Sequence, residues 1–184
     1  YGDHRDLHSF PTRRSSDLEN YIDTRLSDGV NALKPDEAES VVIAGMGGPL
    51  MEKILTEGDK VLKTVKELVL QPQSEIGHFR KYLSENNYCI THEEMILEDG
   101  KYYPIMRVIH GKMEEQTEAE YLYGKKLLQD KNPVLKEFLD REQKKAEELL
   151  EKLKNSQTKS AKTRISQLEK EWKDRKEALA YYEV

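Results

Sequence analysis

The chain is poor in the residues that staple, span or ligate. It has one cysteine in 184 residues, which excludes an internal disulfide and a cysteine metal cluster. No apolar run reaches the roughly 18 residues that a membrane-spanning helix needs. His78, His92 and His110 show no metal-ligand spacing, so no metal is expected and these residues read as surface or packing histidines. No Ser-His-Asp or Cys-His arrangement stands out, and no Gly-Lys-Ser/Thr phosphate loop is present. The lone thiol, Cys89, sits in an alternating apolar stretch and is expected to be buried and inert. These absences suit a cytoplasmic protein; they set no oligomeric state.

What is abundant is charge. Asp, Glu, Lys and Arg make up 35% of the chain and its mean hydropathy is -0.84, so much of it must be solvated. The charge is unevenly spread. Residues 19–112 hold 16 acidic and 11 basic residues, net -5, whereas residues 113–184 hold 16 of each. The first 18 residues, Tyr1 to Leu18, match one reading frame of a common short-read sequencing adapter, codon for codon. They are expected to be foreign sequence, with the natural frame entered at Glu19 and its upstream part missing, and they carry no weight in the fold. The expected division is residues 1–18 as artefact, 19–112 as a globular α/β region and 113–184 as a helical region.

Within 19–112 the pattern alternates. Residues 22–26 read as a short strand, and Val30 to Leu33 as the start of a helical turn stopped before Pro35. The β-branched run 40–44 reads as a strand buried on both faces. It enters Gly45-Met46-Gly47-Gly48, after which Leu50, Met51, Ile54 and Leu55 recur at helical spacing. Residues 67–71 form a second buried strand ending at Pro72, and 76–85 a helix. Strands at 88–97 and 102–110 flank Asp99-Gly100, a strong hairpin signal. Strand–helix alternation predicts a mostly parallel sheet with helices on its faces and an antiparallel edge.

From about Glu118 the pattern is helical throughout: one helix over 118–129, then a restart at Asn132-Pro133. Leu135, Phe138, Leu139, Glu142, Ala146, Leu149, Leu150 and Leu153 make one stripe. Ile165, Leu168, Trp172, Ala178 and Leu179 make a second, beyond a polar stretch at 155–160. Two such helices predict an antiparallel coiled-coil hairpin. Its tip carries Lys152, Lys154, Lys159, Lys162 and Arg164, with no acid between Glu151 and Glu169. Such a patch suits phosphate contacts, although charge runs are more often plain solvated surface.

The glycine turn is the sharpest chemical feature. It follows a buried strand and precedes a helix, where ligands bind in open α/β sheets. Glycines allow close backbone approach, and a helix start favours an anion. Gln71 can donate and accept at once, which suits reading a nucleobase edge.

Together, VVIAGMGGPLMEKIL, ELVLQPQ, FRKYLSENNY and EEMILEDGKYYPIM resemble the bacterial TrmK family over Tyr21 to Val184. These enzymes use S-adenosyl-L-methionine to methylate N1 of adenine 22 in tRNA. The resemblance implies a class I (Rossmann-like) methyltransferase domain lacking its first two strands, followed by a C-terminal α-helical coiled-coil hairpin. It implies that Asp28 and Gly29 face the donor's adenine, and that Ala44, Gly45, Met46, Gly47 and Gly48 border the donor methyl. Gln71 and Pro72 would border the same cavity, and Lys159, Lys162 and Arg164 would contact tRNA. It does not assign a catalytic residue. In the class I strand order, 3-2-1-4-5-7-6, the two absent strands separate the third from the fourth. The fourth strand is then expected to be an open edge, and this chain to bind the methyl donor poorly. Two rival readings are a non-catalytic RNA-binding or coiled-coil module and another nucleotide-binding α/β protein using the glycine turn as an anion nest.

Overall fold

The computed structural model describes residues 21–154 and 158–183. The adapter-like segment and residues 155–157, the first half of the polar stretch, therefore lie outside the described residues. The elements in chain order are β1 (Ser40–Met46), α1 (Gly48–Glu57), α2 (Asp59–Leu62), β2 (Glu67–Pro72), α3 (Ile76–Glu85), β3 (Tyr88–Glu98) and β4 (Lys101–His110). They are followed by α4 (Glu118–Tyr123), α5 (Lys125–Gln129), α6 (Pro133–Lys154) and α7 (Lys159–Ala180).

The four strands form one sheet in the order β1-β2-β4-β3. β1 and β2 are parallel, while β2–β4 and β3–β4 are antiparallel. This order reproduces the far end of the class I sequence, fourth strand onward. Val41, Ile43, Leu68, Leu70, Met106 and Val108 pack with Met51, Leu55, Phe79 and Leu83 of α1 and α3. Burial of these chains is the main stabilising term. The expectation of helices on both sheet faces is corrected. Among the described residues only one face is covered, and Val42, which points the other way, is 69% exposed. The alternation of β1, with Val41 and Ile43 buried but Val42 and Ala44 exposed, belongs to a strand covered on one side only.

The strand expected at 22–26 is absent; those residues have no regular secondary structure and are exposed. A strand needs a hydrogen-bonding neighbour, and among the described residues none pairs with them. The segment is held instead by Arg25, which bonds Asp23 and the Ala32 carbonyl and pairs with Glu37. Those bonds pull the Glu37 carboxyl down to about 2. The helical turn expected at 30–33 is a plain turn, closed by Leu33 N–H donating to Val30 O at 3.0 Å.

β3 carries a bulge between Ile90 and His92. The bulge restores phase: Tyr88 and Ile90 face the core before it, and Glu93 and Met95 after it. The single helix expected over 118–129 is two helices, broken at Gly124 with φ 96°. A Cβ there would lie 2.7–2.8 Å from the Glu93 carboxylate and from Arg80 Nη2. Those two side chains form an ion pair at 2.9 Å, each 1% exposed. Arg80 also donates to the carbonyls of Tyr121 and Leu122 at 3.0 Å, and Glu93 accepts from Lys126 N–H. The backbone turns at Gly124 because the helical region closes over this buried charge pair.

α6 and α7 run antiparallel, as expected of a helical hairpin. Asn132 caps α6, its Oδ1 accepting from Val134 and Leu135 N–H at 3.0 Å. Thr158 caps α7 through Ala161 N–H. Leu135, Leu139 and Ala178 join Met95, Leu127 and Leu128 in a second core. The expected second stripe needs one correction: Trp172 is 41% exposed, and Arg175 takes the buried position beside it. Cys89 is half-buried rather than buried.

Candidate functional site

The carboxyl ends of β1 and β2 meet at one rim of the sheet, and the glycine turn leaves from there. The ladder slips between Ala44 and Met46, which pair with Gln71 and Pro72. Gly45 is the residue in excess, at φ 79°, a conformation that costs glycine nothing. Its N–H donates to Gln71 Oε1 at 2.8 Å. Gln71 therefore spends its acceptor on the turn, while its Nε2 reaches the Pro72 carbonyl only at 3.4 Å. Gln73 N–H donates to Met46 O at 2.8 Å, and Gly48 N–H to Ser74 O at 3.0 Å. Two backbone segments are thus laced together before α1 starts, with Gly47 as its N-cap.

Two hollows adjoin this rim. One of about 310 Å³ is lined by Gln71, Gln73, Ile96, Glu98, Tyr103 and Ile105. The other, about 420 Å³, is lined by Gln73, Lys101, Tyr102, Tyr103, Phe138 and Arg141. Both sizes fall within the range of ligand sites, roughly 300–1,000 Å³. Phe138 stands edge-on to Tyr102, with centroids 5.1 Å apart, and Arg141 lies 4.4 Å above the same ring. Burial, followed by the bond to Glu137, raises the Tyr102 phenol above its ordinary value.

The structure brings Ala44, Gly45, Met46, Gly47, Gly48, Gln71 and Pro72 together at one rim. Asp28 and Gly29 stand apart from that group in their contacts. Asp28 lies 3.8 Å from Lys53, and Gly29 packs on Ile54, both in the later turns of α1. Lys159, Lys162 and Arg164 lie at the start of α7, at the hairpin tip. Arg164 pairs with Glu171 at 3.0 Å, whereas Lys152, Lys154, Lys159 and Lys162 have no carboxylate partner among the described residues. Sequence reasoning missed Gln73, Tyr103 and Arg141. The signal was available: Gln73 repeats the Gln71 pattern two residues on, and Tyr103 sits at an outward position of β4.

Among the described residues there is no cluster of three or more His, Cys, Asp or Glu that could hold a metal. Among the described residues no helix is long and apolar enough to cross a membrane.

A family model described as tRNA (adenine(22)-N(1))-methyltransferase, TrmK, matches residues 12–177. The chain is 34% identical over 124 residues to the Bacillus subtilis tRNA (adenine(22)-N(1))-methyltransferase, covering 65% of this chain and 52% of that protein. It thus spans about half the length of the curated relatives it matches. An uncharacterized protein of Listeria monocytogenes serotype 4b superposes with a TM-score of 0.82 at 31% identity, over 90% of this chain and 74% of that one. The solved B. subtilis TrmK gives 0.74 at 29%, over 89% and 73%. A Streptococcus pneumoniae protein in complex with S-adenosyl-L-methionine, described as a candidate tRNA (m1A22) methyltransferase, gives 0.72 at 29%, over 89% and 73%. The fold is the Rossmann-like methyltransferase fold.

Proposed function

We propose a function from the family to which the chain belongs, the TrmK family of tRNA (adenine(22)-N(1))-methyltransferases: the protein methylates N1 of adenine 22 in tRNA. The observation that carries the reading is the laced rim, where Gln71 fixes Gly45 at positive φ and leaves the glycine turn facing outward.

When bound, S-adenosyl-L-methionine supplies the electrophilic methyl group. Ala44 and Gly45 are exposed, and Met46 and Gly47 half-exposed, which fits them to border the methyl-bearing end. The adenosine end would need further walls: β1 has no neighbour on its outer edge among the described residues.

The chain's own work at this site is positioning. Adenine N1 carries a free lone pair at neutral pH, so no base need remove a proton before transfer. The requirement is to hold N1 in line with the reacting carbon, a contribution of orientation and preorganised dipoles. Gln71 holds the turn, and the Met46 loop lies beside it. A stacked or paired adenine must also be turned out of its helix to reach them.

The rest of the tRNA is held by charge. Lys152, Lys154, Lys159 and Lys162 give the hairpin tip four unpaired cations, and Arg164 contributes less because Glu171 already pairs with it. Replacing Lys159 and Lys162 by Gln should weaken tRNA binding. It should also flatten the dependence of log K on log salt by about 1.4–1.8, two phosphate contacts' worth. Filter binding at several salt concentrations measures this, and an unchanged slope removes the tip from the RNA path. The non-catalytic module and the phosphate-nest protein are disfavoured by the family match and by the absence of a phosphate-loop lysine.

A further inference from the structure

The two rim hollows adjoin at Gln73 and Tyr103, which line both, and together they make a trough around the exposed edge of β4. It starts beside Gln71, which holds the glycine turn, and ends against α6 at Phe138 and Arg141. We infer that this trough seats a nucleotide flanking the methylated adenine, its base stacked on Tyr103, its edge met by Gln73 and its phosphate by Lys101 and Arg141. The inference rests on the tRNA methylation reading and names substrate contacts that reading leaves open.

The lining supports an unpaired nucleotide in particular. Single-stranded RNA is recognised by aromatic platforms for the bases combined with cations along the backbone. Tyr103 pairs with Ile96 across the β3–β4 ladder and shares the uncovered sheet face with it. Its ring is half-exposed. Gln73 is exposed; its backbone N–H is spent on Met46 O, and its side-chain amide remains to meet a base edge. Lys101 has no carboxylate partner among the described residues. Arg141 is held in place: its guanidinium lies over the Tyr102 ring, and Nη1 donates to Gly100 O at 3.4 Å. That placement ties the turn of the β3–β4 hairpin to α6 and points to a fixed cation rather than a freely waving one. Glu142, 3.6 Å from Arg141 Nε, is shared with Lys145 at 2.7 Å, so it neutralises neither fully. The one acid lining the trough, Glu98, stands opposite Lys101 across the β3–β4 ladder, with no ion pair between them.

The test is tRNA binding by the 184-residue chain and its variants, measured by filter binding at several salt concentrations. Tyr103→Leu should lose about tenfold or more in affinity, the scale of one base stack, while Tyr103→Phe should retain it. Arg141→Gln and Lys101→Gln should each flatten the salt slope by about 0.7–0.9. Circular dichroism melting checks the fold. If Tyr103→Leu melts early, the two exposed cation variants decide. If the unsubstituted chain binds tRNA and neither cation variant changes the slope, the trough inference is overturned and the methylation reading stands. If the unsubstituted chain does not bind tRNA, the trough inference falls, while the methylation reading keeps its support from the family match.

Discussion

Gly124 shows how one residue can set the relation between two regions. Its φ of 96° is unfavourable for any residue with a Cβ, and that Cβ would sit under 3 Å from both members of the Arg80–Glu93 pair. The pair is fully enclosed, and its other valences go to Tyr121 O, Leu122 O and Lys126 N–H. Burying two charges is tolerable only while each keeps its partners. Gly124→Ala should therefore destabilise the chain by about 3 kcal/mol or more, the cost of forcing a buried pair apart. Glu93→Gln should cost a similar amount by leaving the guanidinium uncompensated. Urea unfolding followed by circular dichroism reads both, and a loss under about 1 kcal/mol for Gly124→Ala, an ordinary surface effect, would mean the turn is slack. None of this was legible in the sequence. A lone glycine within a helical pattern announces no break, and nothing in the sequence links Arg80 to Glu93, which the fold pairs across 13 positions.

At the scale of elements, local signals carried most of the reading. The β-branched runs, the Asp99-Gly100 turn and the Asn132-Pro133 restart each specify structure through their own backbone chemistry. β1, β2, α3 and the β3–β4 hairpin accordingly fall within a residue or two of expectation. What failed depended on neighbours. Residues 22–26 have strand-like composition but no edge to pair with, and the bulge near Thr91 serves a facing requirement that no residue type announces. The rim was half legible. Gly45 and Gln71 were both singled out, yet their hydrogen bond depends on a ladder slip that only the paired strands create. β1 also has a consequence of its own. Among the described residues no strand pairs with its outer edge, and Val42 adds an exposed apolar side chain to the open face. Long, flat, apolar edges promote strand pairing between molecules. Val42→Lys should lower concentration-dependent self-association of the chain in sedimentation velocity while leaving its melting temperature nearly unchanged. An unaltered sedimentation profile would show that this edge is not the contact.

At the scale of the whole molecule, the two candidate ligands make unequal demands. The proposed tRNA contacts, the hairpin tip and the rim trough, come from elements that the described residues already hold in place. α6 and α7 are capped at both starts and anchored through Tyr181 to Glu120 and Tyr182 to the Asn132 carbonyl. The methyl donor is different. Its methyl-bearing end has the laced turn, but its adenosine end would meet an open strand edge. Asp28 and Gly29, the residues proposed to face it, contact Lys53 and Ile54 instead. A site that surrounds only part of a ligand forfeits the burial from which most of its affinity comes, while the loss of translational and rotational freedom is undiminished. The 184-residue chain should therefore bind tRNA but bind S-adenosyl-L-methionine weakly. Isothermal calorimetry with each ligand separates the two: micromolar donor binding by this chain would show that the glycine turn alone suffices, and would refute the division of labour argued here. Heat from tRNA with none from the donor is the expected result, because the proposed RNA contacts lie on described elements, whereas among the described residues β1 offers the donor a wall on one side only.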